Sequence, residues 1–161
     1  MPADDLASNK AQPPNERLRM LDRLVGAWDL HHRDSSTGEQ WKGHDVFDWL
    51  PGGHFLAMHH EELGRGIEGL MVIGYPKGWE QKAPSDQLIG AWFESSTGNQ
   101  FDYVWEVGER SVKFRLLPES ANAAFEGEFS DDHNTIKGAW RWPGGGYELT
   151  MTRVSEPKPS R

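Results

Sequence analysis

The chain has no cysteine among its 161 residues, which excludes a disulfide framework, a thiolate metal site and a catalytic thiol. It has no run near the ~18 apolar residues that a membrane-spanning helix needs. Residues 1–14 are polar (Asp4, Asp5, Asn9, Lys10) and lack the apolar centre of a secretory signal. The expectation is therefore a cytoplasmic protein with no membrane partner. Basic charge is also scarce. Seventeen Lys and Arg stand against 25 Asp and Glu, for a net charge of -8, and no dense basic stripe offsets that field. A nucleic-acid partner is not expected, because the field repels phosphate backbones.

Large rings and glycine are what the chain does have. Eight tryptophans and 18 glycines occur in a sequence only 36% hydrophobic. That combination suits a curved sheet, in which glycine permits bends and close backbone approach while rings fill the interior. A helical bundle would favour leucine and alanine.

Helical periodicity is confined to one segment. Residues 1–14 read as a disordered tail stopped by Pro13-Pro14. From Asn15 to Val25, Leu18, Leu21 and Val25 recur at helical spacing, with Met20 and Leu24 alongside and Asn15 placed to cap the start. From Trp28 onward the period is two. Ten strand segments follow: 28–33, 40–50, 54–63, 68–75 (apolar on both faces), 88–95, 101–107, 112–116, 125–129, 136–142 and 147–153. Most connectors are short turn-formers such as Gly108-Glu109 and Pro143-Gly144-Gly145, with one long polar loop over 76–86. No connector can hold a crossover helix, so the strands form an antiparallel meander. A two-sheet sandwich would show the same alternation, but the hairpin spacing and aromatic bulk favour an all-β closed antiparallel up-and-down barrel of about ten strands with one short N-terminal helix. It spans residues 15–155 as one domain, with a flexible C-terminal tail at 156–161.

Leu24-Val25-Gly26-Ala27-Trp28 places Gly-x-Trp at the start of the first strand, and Thr150-Met151-Thr152-Arg153 places an arginine at inward parity on the last. This pair resembles the floor of calycin (lipocalin-like) barrels, where the tryptophan plugs the closed end and stacks with an arginine. Structural closure is accordingly expected from Trp28 and Arg153. Four stretches resemble the DUF1579-type family of bacterial lipocalin-like domains. They are Leu21 to Trp28, Trp49-Leu50-Pro51-Gly52-Gly53-His54-Phe55-Leu56, Ile67 to Tyr75, and Gly146 to Arg153. His54 stands where that family often has arginine. The resemblance covers roughly residues 18–155 and implies a calycin-like barrel but no established reaction.

Inward parity selects the candidate ligand-binding residues: Trp41, Phe47, Met58, Trp92, Tyr103, Trp105, Phe114, Trp140 and Tyr147, with the polar His32, Asp45 and His60. Phe125 shares this parity. Each ring taken singly reads most simply as core. Taken together, in a barrel wider than the filled eight-stranded case, they are expected to leave a cavity. Asp45 is the sharpest candidate, because it interrupts the apolar face of Trp41, Phe47 and Trp49, and a buried carboxylate needs a partner. His60 shares a face with Leu56 and Met58, while Phe55, Ala57 and His59 form a rival inward set. Asp45 and His60 are the candidate catalytic residues.

Six of the seven histidines fall within residues 31–60. Adjacent pairs point to opposite faces of a strand, however, so neither His31-His32 nor His59-His60 chelates one ion. No metal is expected. Haem is not expected either, because Gly26-Ala27-Trp28-Asp29-Leu30-His31-His32 departs from the Gly-x-Trp-x-Gly-x-Gly of nitrobindin-like barrels. The only late histidine, His133, lies in an Asp-Asp-His-Asn turn. Ser95-Ser96 has no nucleophile elbow, and Gly144 to Gly146 opens no helix that could cradle phosphate.

Three functions fit this reading. The first is a cofactor-free binding module for a small apolar or aromatic molecule. The second is a cofactor-independent cyclase or isomerase with Asp45 and His60 as acid–base groups. The third is an interaction protein with a filled barrel, acting as a homodimer through an exposed sheet face.

Overall fold

The computed structural model describes residues 10–154, so the expected C-terminal tail at 156–161 and the first nine residues of the N-terminal tail lie outside the described residues. Ten strands follow one another: β1 (Gly26–Asp34), β2 (Gln40–Trp49), β3 (Phe55–Glu62), β4 (Ile67–Gly74), β5 (Leu88–Glu94), β6 (Asn99–Val107), β7 (Ser111–Leu116), β8 (Ala124–Phe129), β9 (Thr135–Trp142) and β10 (Gly145–Arg153). Each pairs antiparallel with the next in sequence, and β10 pairs with β1 to close the barrel. The expected ten-stranded up-and-down barrel is the fold. Burial alternates along the strands as the sequence pattern requires, for example Trp28, Leu30 and His32 inward on β1 with Asp29 and His31 outward. Among the described residues, no helix is long and apolar enough to cross a membrane.

The segment before β1 is helical but tighter than an α-helix. Glu16–Leu24 forms a 3₁₀ helix, with the Asn15 side chain accepting from the Arg17 N–H. Its buried residues are Leu18, Leu21 and Leu24. A spacing of three matches the three residues per turn of this helix and aligns all three leucines on one face. That face joins Trp28, Leu56, Ile73 and Ile136 in the core and forms the closed floor of the barrel.

The first strand and the last meet over this floor. Trp28 and Arg153 are opposite one another in the β1–β10 register, and the Arg153 guanidinium lies 4.2 Å over the indole of Trp28. Trp28 is fully buried, and its Nε1 donates to the Leu24 carbonyl at 2.8 Å. The closure expected from these two residues is present.

Glycine makes room for the rings of the wall. A Cβ on Gly69 would come within 2.1 Å of the Trp92 ring, and one on Gly90 within 2.4 Å of Trp105 Nε1. The two indoles therefore lie across neighbouring strands instead of projecting into the centre, and this leaves part of the lumen open.

Candidate functional site

The lumen holds a cavity of about 290 Å³, near the lower end of the range for small-molecule pockets. It runs from Leu24 on the floor to Glu62, Arg65, Ile67 and Glu94 at the opposite end of the barrel. A filled barrel, the third expectation, is not what forms. One wall is a continuous ring stack. Phe114 lies 4.4 Å from Trp105 and 5.0 Å from Phe125, both stacked, and 5.6 Å from Trp140. Tyr103 meets Phe114 edge-on at 5.8 Å. Trp105 Nε1 donates to Met71 Sδ at 3.1 Å, so the indole N–H is satisfied and the ring is held flat to the wall.

The polar side of the cavity comes from β2, β3 and the turn after β3. Asp45 faces His60 in the β2–β3 register, and His60 Nδ1 donates to Asp45 Oδ1 at 2.6 Å. His60 Nε2 looks towards Glu62 Oε1 at 3.7 Å, and Arg65 Nε donates to Glu62 Oε2 at 3.1 Å. A chain of alternating charge thus runs from the buried Asp45 to the rim.

Burial alone would lower the His60 pKa. The Asp45 charge and its hydrogen bond, followed by Glu62, outweigh burial and push it up to about 10. Glu62 is held below the usual carboxylate range. Burial opposes that, but the hydrogen bond and charge of His60, then His32 and Arg65, outweigh it. At neutral pH His60 is therefore an imidazolium clasped between carboxylates.

His32 behaves in the opposite sense. It is 1% exposed, and burial, opposed chiefly by Glu62 and reinforced by the His60 charge, lowers its pKa. Its ring stacks flat on Trp41 at 4.9 Å, and Tyr147 closes on both rings edge-on. Arg65 covers Trp41 at 4.4 Å. The hydroxyls of Tyr103 and Tyr147 are both raised. Burial is the first cause in each; Glu94 adds to it at Tyr103 and Glu62 at Tyr147.

The structure brings Asp45, Phe47, Met58, His60, Trp92, Tyr103, Trp105, Phe114, Trp140 and Tyr147 together around the cavity. His32 and Trp41 stand apart from it. They share the inward parity, but their mutual stack fills their own part of the lumen. On β3 the inward set is Leu56, Met58 and His60, while His59 is exposed. Sequence reasoning missed Glu62, Arg65 and Glu94. Glu62 and Glu94 lie two residues beyond His60 and Trp92, so extending the alternation by one step finds them. Arg65 sits in a turn, where alternation carries no signal. Among the described residues, no group of three or more His, Asp and Glu is arranged to hold a metal ion. In comparisons with known proteins, no family model and no curated protein matches the chain.

Proposed function

We propose that the barrel binds a small apolar or aromatic molecule in its lumen. The observation that carries this reading is the cavity of about 290 Å³ walled by stacked rings and by one hydrogen-bonded polar chain. Apolar walls supply affinity by burial, and a few fixed polar groups orient the ligand. The calycin-like and DUF1579-type resemblance is part of the same proposal, supported by the stack of Arg153 on Trp28.

Binding is favoured over a cyclase or isomerase by the state of the Asp45–His60 pair. A catalytic acid or base works best with a pKa near the operating pH. A His60 pKa of about 10 keeps the imidazole protonated through the neutral range, which suits a fixed charge better than a proton carrier.

Native mass spectrometry of freshly purified protein, alone and with added 1-naphthalenemethanol, tests the reading. A bound small-molecule mass in either sample is the expected result. A bare mass in both overturns it. Asp45→Asn separates the two functions, since a binder keeps its affinity for the neutral probe whereas acid–base turnover falls.

A further inference from the structure

The charged lining of the cavity is unequal. Asp45, Glu62 and Glu94 face His60 and Arg65. Both cations are already engaged. His60 donates to Asp45 and has its other ring nitrogen facing Glu62, while Arg65 donates through Nε to Glu62 and lies on Trp41. The Glu94 side chain has no hydrogen bond or ion pair among the described residues. It ends β5 on the same inward face as Trp92, and its charge is felt at the hydroxyl of Tyr103.

We infer that the cavity takes a small aromatic amine in its protonated form, with Glu94 as counter-ion and the rings of Trp92 and Tyr103 beside the ammonium. This rests on the proposal that the lumen binds a small molecule and adds the sign of the ligand's charge. Three features support it. An ammonium next to indole and phenol faces gains cation–π attraction, which strengthens away from water. Its charge brings the lining into balance, so Glu94 gains the partner that a partly buried carboxylate favours. An anionic ligand would instead meet Glu94 and Glu62, with both nearby cations already held by carboxylates. The stacked wall from Trp105 through Phe114 to Phe125 and Trp140 offers a flat face for the ring of the same ligand.

The test is isothermal titration calorimetry of the full chain at neutral pH with three probes sharing one ring system: 1-naphthylmethylamine, 1-naphthalenemethanol and 1-naphthoate. The expected order is amine first, about tenfold tighter than the alcohol, with the carboxylate weakest. Glu94→Gln is expected to abolish the preference for the amine over the alcohol. If the alcohol or carboxylate binds as tightly as the amine, the charge inference is overturned and the binding proposal stands. Retention of the amine preference in Glu94→Gln overturns the role of Glu94. If none of the three binds, the binding proposal fails and the inference fails with it.

Discussion

The guanidinium of Arg153 lies 4.2 Å over the indole of Trp28 and donates at 2.5 Å to the carbonyl of Val25 and at 2.6 Å to that of Arg23. One side chain thus joins the last strand to the first and caps the 3₁₀ helix, whose final carbonyls carry partial negative charge. Cation–π contact is worth about 0.5–2 kcal/mol and a hydrogen bond from a charged donor about 1.5–3 kcal/mol. Arg153→Ala is expected to cost on the order of 3 kcal/mol in urea unfolding. Arg153→Lys should recover less than half of that, because an ammonium cannot reproduce the planar fork. Equal stability of Arg153→Ala and the parent chain would show that the contact contributes nothing.

Stability should fall as pH rises from neutral to alkaline. The folded pKa of His60 is raised to about 10 from an ordinary 6.5. Its contribution is fully present below about 6.5 and is lost as pH climbs through about 10. The slope is on the order of 1 kcal/mol per pH unit inside that window. Chemical denaturation at intervals across the window measures it. Asp45→Asn removes the first of the raising causes and should flatten the curve.

Two inward-facing histidines, His32 on β1 and His60 on β3 with β2 between them, should hold opposite charge at neutral pH, His60 as imidazolium and His32 as neutral imidazole. Nitrogen-15 shifts of the two rings distinguish the forms. Glu62 raises both pKa values, so Glu62→Gln is expected to lower both. A ring pair that titrates together near 6.5 would contradict this arrangement.

Gly69→Ala should disturb the cavity more than its size suggests. The added methyl would lie 2.1 Å from the Trp92 ring, so the indole must swing towards the lumen or the strand must shift. A loss of about 1–3 kcal/mol is expected, together with an altered near-ultraviolet dichroism signal and weaker binding of the naphthyl probes.

Much of the architecture was legible in the sequence, since alternation with short turn-formers gives an antiparallel meander; closure into a barrel was favoured by aromatic bulk and hairpin spacing, because a two-sheet sandwich would show the same alternation. Trp28 and Arg153 pair in the sequence pattern because both fall at inward parity on the terminal strands. The site was legible only in part. Parity fixes which face a residue occupies but not whether neighbouring rings close on one another, so His32 and Trp41 read as cavity lining when they stack shut. On β3, Leu56, Ala57 and Met58 are all buried, so apolar residues mark both faces there and alternation does not choose between the two sets. Arg65 lies between Gly64 and Gly66, both at positive φ, where strand periodicity ends. The helix type was hidden in the same way. Leu18, Leu21 and Leu24 suit a 3.0 period, but so short a segment fits 3.6 nearly as well.

The β1–β10 seam also bears on how the barrel assembles. Every other neighbouring pair joins strands consecutive in sequence, so nine hairpins can zip with little loop-closure entropy, whereas the seam must bring together segments separated by most of the chain. The kinetic barrier to a closed ring is thereby concentrated in one register, and Arg153 over Trp28 is the contact that locks it. Loosening that contact should show as faster opening of the ring, read from the unfolding arm of a chevron plot, while the hairpins continue to form at their own rates.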